Sequence, residues 1–145
     1  MKQLCALVSG LLFLIASGHP AFTQASDPDA EKIAANWVRS LDAGDAGALY
    51  ENYASSYYKA TVPKKVFVNW VGTTRIQSGG AASSRSVEGF QQLDQLQNGV
   101  TGTFYYVRYR SSHPNGNVFD DILLTEENGA WLVYWYTVFP APPNQ

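Results

Sequence analysis

Residues 103–139, TFYYVRYRSSHPNGNVFDDILLTEENGAWLVYWYTVF, decide the fold class of this 145-residue chain. Aromatic and β-branched residues fill three runs, 104–110, 118–125 and 131–139. Turn chemistry separates them: Pro114-Asn115-Gly116-Asn117 after the first, Glu127-Asn128-Gly129 after the second. Runs of this kind joined by such turns predict two consecutive antiparallel hairpins. The segments upstream then have one face of a sheet to cover.

Those segments carry helical spacing. Ile33, Ala34, Trp37, Val38 and Leu41 form one apolar stripe, with Lys32, Asn36, Arg39 and Ser40 off it. Polar residues 26–29 suit a cap before it. Asp42-Ala43-Gly44-Asp45 ends it, with Gly44 able to turn left-handed and Asp45 placed to cap the next helix. Leu49, Tyr50, Tyr53, Ala54, Tyr57 and Tyr58 predict that second helix. Val66, Phe67, Trp70 and Val71, after Thr61-Val62-Pro63, predict a third. The glycine-serine run 79–84 is either a loop over a pocket mouth or the crossing from helices to sheet. A first strand is expected over 86–93, with Val87 and Leu93 on one face and Glu88, Phe90 and Gln92 on the other; Asn98-Gly99 and Gly102 then turn the chain into the aromatic strands. Trp70 and Trp131 are expected in the core, and the proline-rich tail 140–145 is expected to fray. Helices followed by an antiparallel sheet make an α+β fold. About four curved strands with the N-terminal helices on their concave side enclose a cone-shaped pocket.

Composition bounds the rest. Hydrophobic residues are 46%, aromatics 14% and charged residues 15%, enough to fill one core and too apolar for disorder. Residues 1–25 read as a secretory signal: Lys2, an apolar run over 6–16, then Thr23-Gln24-Ala25 at the expected cleavage point. That run is shorter than the ~20 residues needed to cross a bilayer. The expectation is an exported, periplasmic or secreted bacterial protein with one domain over 26–139. Setting the signal aside removes Lys2 and Cys5, leaving nine basic and twelve acidic residues and no thiol. Disulfides, a thiol nucleophile and thiolate zinc sites are then excluded from the mature chain. Its acidic balance argues against nucleic acid and anionic membranes as partners. No cofactor or metal is expected: one histidine remains, His113, and Asp120-Asp121 lacks calcium-loop spacing.

One set of residues, in order, resembles a known family. Trp70, Arg75, Gly79 or Gly80, Arg85, an acidic residue opening a strand, and the closing Asn128-Gly129-x-Trp131-x-Val133-x-x-Tyr136 together resemble the DUF4019 family, from about residue 31 to 138. The resemblance implies an NTF2-like, cystatin-like cone and no settled activity, so it speaks to fold more than to function. The acidic position, usually Glu in the family, falls on Asp120. The glycine that often precedes the closing Tyr is here Trp135.

Chemistry has few places to sit. Alternation sends Asp120 to one face with Val118, Ile122 and Leu124, and Asp121 to the other with Phe119 and Leu123. A carboxylate among apolar neighbours has its pKa raised unless a cation pairs with it, and Arg75 and Arg85 are the candidate cations. An Asp120 general base in the cone would make an isomerase- or hydratase-type enzyme, as in enzymes of the NTF2-like fold. An Arg–Asp pair tying the first strand to the sheet is the stronger reading, because buried charges are usually paired. His113, before Pro114, reads as a loop histidine without a role. Tyr53, Tyr57, Trp70, Tyr106, Arg108 and Tyr136, with Arg75, Arg85 and Asp120, are the candidate ligand-binding residues. Most aromatics of this kind pack a core, but so many in a small domain also suit a pocket for an apolar or ring-bearing ligand. The leading expectation is a non-enzymatic domain binding a small molecule or a protein partner. An enzyme working through Asp120, and a structural module that homodimerises through its open sheet face, are the alternatives.

Overall fold

The computed structural model describes residues 25–143. Four helices come first: α1 (Pro28–Ala43), α2 (Ala46–Tyr53), α3 (Ser56–Thr61) and α4 (Lys64–Gln77). Four strands come after them: β1 (Ser84–Gln95), β2 (Thr101–His113), β3 (Gly116–Glu127) and β4 (Ala130–Pro140). They form one open antiparallel sheet in the order β1-β2-β3-β4. The fold is α+β. Residues 1–24, which hold nearly all of the expected signal, and 144–145 of the tail lie outside the described residues.

Local chemistry explains the helix ends. The Asp27 carboxylate accepts from the amides of Asp29 and Ala30 at 3.0 Å, and Pro28 occupies the first turn where its missing N–H costs nothing. Gly44 closes α1 in the left-handed region at φ 81°. Asp45 holds the cap position of α2 but makes no capping bond.

Where one second helix was expected there are two. Ala54 is extended, Ser55 donates its amide to the Val133 carbonyl at 2.9 Å, and the Ser55 hydroxyl caps α3 by accepting from the Tyr58 amide at 3.1 Å. A strand edge therefore captures the chain in mid-stripe, and continuous periodicity cannot show that.

The β3–β4 hairpin follows the sequence rule. Asn128 and Gly129, at φ 53° and 77°, are the two central residues between the paired Glu127 and Ala130.

One irregularity corrects the reading of β1. The register shifts between Val87 and Gly89, so Val87 pairs with Tyr109 and Phe90 with Val107, on one face. Leu93 turns to the other face, beside Leu96, Phe104, Leu123 and Tyr134. A bulge adds one residue and reverses the alternation beyond it. The tail is also more ordered than expected. Pro140 pairs with Val118, the Ala141 amide donates to the Asn117 carbonyl at 3.0 Å, and Arg110 donates to the Pro142 carbonyl at 2.9 Å. β4 is an edge strand, where a proline is tolerated.

The core lies between the helices and β2–β4. Trp37 is its centre, fully buried, with Phe67 at 5.5 Å, Tyr136 at 5.8 Å and Tyr58 at 6.2 Å between ring centroids. Trp70 and Trp131, expected in the core, are half-buried and pack against its margin. On the opposite face Arg108 grips Asp121 with two 2.7 Å bonds and lies over the rings of Phe119 and Phe139. No helix among the described residues is long and apolar enough to cross a membrane.

Candidate functional site

Two concave places flank the core. The first is a polar cleft where α1 and α4 end over the sheet. Alternation brings Ser111 of β2, Asp120 of β3 and Tyr136 of β4 to the helical face, and Arg85 of β1 pairs in register with Ser111.

Asp120 is buried, at 3% exposure, and both of its oxygens are occupied. Oδ1 accepts from the Tyr136 hydroxyl at 2.6 Å, and Oδ2 accepts a short bond from the Ser111 hydroxyl. Arg85 Nε stands 3.6 Å from Oδ2 but donates to Ser111 Oγ at 2.7 Å. Its Nη1 meets Asp42 Oδ2 at 2.7 Å. The result is a relay from Asp42 through Arg85 and Ser111 to Asp120 and Tyr136.

The electrostatics follow from burial and pairing. Burial alone would lower the Arg85 pKa; the Asp42 hydrogen bond and the Asp120 and Asp42 charges outweigh it, and the net shift is upward. Tyr136 is pushed well above its ordinary value, first by burial, then by the Asp120 charge and the bond to it. The phenol therefore stays a donor.

Arg75 does not pair with Asp120. Its Nη1 donates to the Leu41 carbonyl at 3.2 Å, fastening α4 to the end of α1. His113 also has a place: its Nδ1 is 2.9 Å from the Gly80 carbonyl, so that nitrogen carries the proton and ties β2 to the α4–β1 connection. That connection is both the crossing and part of the cleft wall, since Gly80 lines it. The cleft encloses about 40 Å³, room for a few waters only.

The second place is a groove of about 560 Å³ between α1 and the β1–β2 edge. Pro28, Glu31, Lys32 and Ala35 form one wall; Val87, Phe90, Val107 and Tyr109 form the other. The helices rest mainly on β2, β3 and β4, which leaves the helical face of β1 open. Val87 is 55% and Phe90 37% exposed. Phe90 leans on Tyr105, whose hydroxyl donates to Glu31 Oε1 at 2.9 Å.

The expected site residues divide between these places and others. Trp70, Arg75, Arg85, Asp120 and Tyr136 all line the cleft. Tyr53 packs half-buried against the core, and Tyr57 stacks on Tyr134 at 4.2 Å. Tyr106 and Arg108 lie beside Asp121 on the opposite face. Sequence reasoning missed Asp42 and Ser111 as cleft residues, and Glu31, Lys32 and Tyr109 as groove residues. Parity could have found Ser111 and Tyr109, which share a strand face two residues apart. Nothing local marks Asp42, which reads as an ordinary helix end. Among the described residues no group of His, Cys, Asp and Glu could hold a metal ion.

None of the curated proteins matches this chain. Among solved structures, Aln2 from a Streptomyces species is similar, with a TM-score of 0.51 and 11% identity over 81% of this chain and 94% of Aln2. At that identity the likeness shows the fold alone. The pattern of DUF4019, described as a protein of unknown function, matches residues 33–136, from α1 to Tyr136 in β4, and the chain belongs to that family.

Proposed function

We propose that this protein is a non-catalytic binding domain of NTF2-like type that takes a small apolar or ring-bearing ligand in the groove between α1 and β1–β2. The observation that carries the reading is the exposure of Val87 and Phe90 on the wall of a groove of about 560 Å³. That volume is in the usual range for small-molecule sites, and apolar walls with few polar groups are their usual lining. The helices-then-meander order supports the NTF2-like assignment, and the N-terminal stretch supports an exported setting for the ligand.

Catalysis by Asp120 has less support. A general base needs an oxygen within reach of a substrate proton, whereas Tyr136 and Ser111 occupy both oxygens and the cleft admits little more than water.

Titration with the neutral fluorophore N-phenyl-1-naphthylamine tests the reading. One saturable site is expected, lost when Val87→Asp puts a charge on the apolar wall and retained in folded Asp120→Asn. Binding that survives Val87→Asp, or vanishes in folded Asp120→Asn, would overturn it. Native mass spectrometry of the purified protein would then identify any retained ligand.

A further inference from the structure

Tyr109 is the one element of the groove with an unmet chemical need. It is 7% exposed and lines the groove, yet its hydroxyl makes no hydrogen bond among the described residues. Unlike Trp37 Nε1 and Trp135 Nε1, which are sealed from solvent with no hydrogen-bond partner among those residues, the Tyr109 oxygen keeps some access. The residue sits between the two sites: it pairs across the strands with Asp120 on one side and Val87 on the other. Asp120 is already bonded to Tyr136 and Ser111 and has no need of it.

We propose that the Tyr109 hydroxyl is the specificity-determining donor of the groove, and that the ligand is a neutral ring-bearing molecule with a carbonyl oxygen at its buried end. This rests on the groove being the binding site.

A nearly buried hydroxyl gains most from an acceptor brought by the ligand, because in the empty groove it is only partly solvated. Burial first, then the nearby Glu31 charge, raise the Tyr109 pKa; Arg85 opposes them and Asp120 adds to the rise, and the net shift is upward, so the phenol stays protonated and donates. Glu31 and Asp120 together set the sign of the ligand against Arg85, whose charge is already engaged by Asp42. The Glu31 carboxylate, held on the facing wall by the Tyr105 hydroxyl, disfavours an anionic acceptor close to Tyr109. Lys32, the remaining charge of the groove, is exposed and makes no ion pair among the described residues, so its effect is screened by solvent. Phe90 and Val87 supply the surface for the ring.

The test compares two neutral naphthalene probes in wild type and Tyr109→Phe. Prodan carries a carbonyl, and its emission shifts to the red when that carbonyl accepts a hydrogen bond; N-phenyl-1-naphthylamine has none. Deletion of one neutral hydrogen bond is expected to weaken Prodan about three- to ten-fold. The emission of bound Prodan should move to the blue, and N-phenyl-1-naphthylamine affinity should be unchanged. If both probes bind wild type and Tyr109→Phe changes neither Prodan affinity nor its emission, the donor assignment is wrong while the groove stands. Equal weakening of both probes would also overturn it, by marking Tyr109 as packing alone. If neither probe binds wild type, the groove reading itself fails. A circular-dichroism melt of Tyr109→Phe separates a binding loss from misfolding, and Tyr109→Leu, which keeps apolar bulk without a donor, is expected to repeat the probe pattern.

Discussion

Replacing Asp120 with asparagine removes one charge and almost no volume, so its cost measures the relay rather than packing. In the native protein Oδ1 accepts from Tyr136 at 2.6 Å and Oδ2 accepts from Ser111, whose oxygen in turn accepts from Arg85 at 2.7 Å. An amide can satisfy only one of those two hydroxyl donors. If its oxygen keeps Tyr136, its NH₂ faces Ser111, and the Ser111 proton loses its acceptor. A stranded buried donor costs about 1–3 kcal/mol, and a hydrogen bond to a charged group exceeds a neutral one by about 1 kcal/mol. Arg85 keeps Asp42 as its close partner, so no cation is left unpaired. The expected destabilisation is therefore about 2–4 kcal/mol, below what a buried pair broken outright would cost. Urea unfolding followed by tryptophan fluorescence reads it, with Trp70 and Trp37 lying 5.5 and 5.8 Å from the Tyr136 ring. Tyr136→Phe should cost about 1.5–3 kcal/mol in wild type and about 1 kcal/mol less in the Asp120→Asn background, because the bond there is already neutral. A single mutant within ~0.5 kcal/mol of wild type, or equal Tyr136→Phe costs in the two backgrounds, would refute the relay.

Three further outcomes are expected. Trp37→Ala should cost about 3–5 kcal/mol and Trp131→Ala clearly less, since Trp37 is fully buried and Trp131 half-buried; equal denaturant midpoints would contradict the core assignment. Gly44→Ala should destabilise by about 1 kcal/mol or more, because φ is 81° and the new Cβ would sit 3.1 Å from Arg75 Nη1; a thermal melt that does not move would rule this out. Stability should hold below about pH 10 and fall above it. Burial and then the Glu31 bond push Tyr105 up to about 12, and burial with the Asp120 charge holds Tyr136 well above its ordinary value. Unfolded phenols lose their protons near pH 10 while the native ones keep theirs, so the native state binds more protons there and rising pH favours unfolding, by about 1.4 kcal/mol per pH unit for each such tyrosine. Unfolding curves between pH 8 and 12 check the sign, and a gain in stability across that range would exclude it.

Much of this architecture was legible from short-range pattern. The alternation over residues 118–125 placed Asp120 on the apolar side of its strand and Asp121 on the other, and the Asn128-Gly129 pair specified its turn, because both effects are properties of a few neighbouring residues. The stripe through Trp37 and the left-handed Gly44 were readable for the same reason. What pattern could not carry was any feature made by residues distant in the chain. The Val133 carbonyl breaks a continuous apolar stripe at Ala54-Ser55, and the β1 bulge moves Phe90 onto the groove wall beside Val87. Arg85 and Asp120 were paired from the sequence, but only the packing of α1 over β2, β3 and β4 supplied Asp42 as the closer carboxylate, with Ser111 between Arg85 and Asp120. A periodic sequence determines which face a side chain takes, since that depends on backbone geometry repeated every few residues. Which partner it meets there depends on how whole elements dock, and so Asp42 meeting Arg85, and Tyr109 opening on the groove, were decided by the tertiary structure.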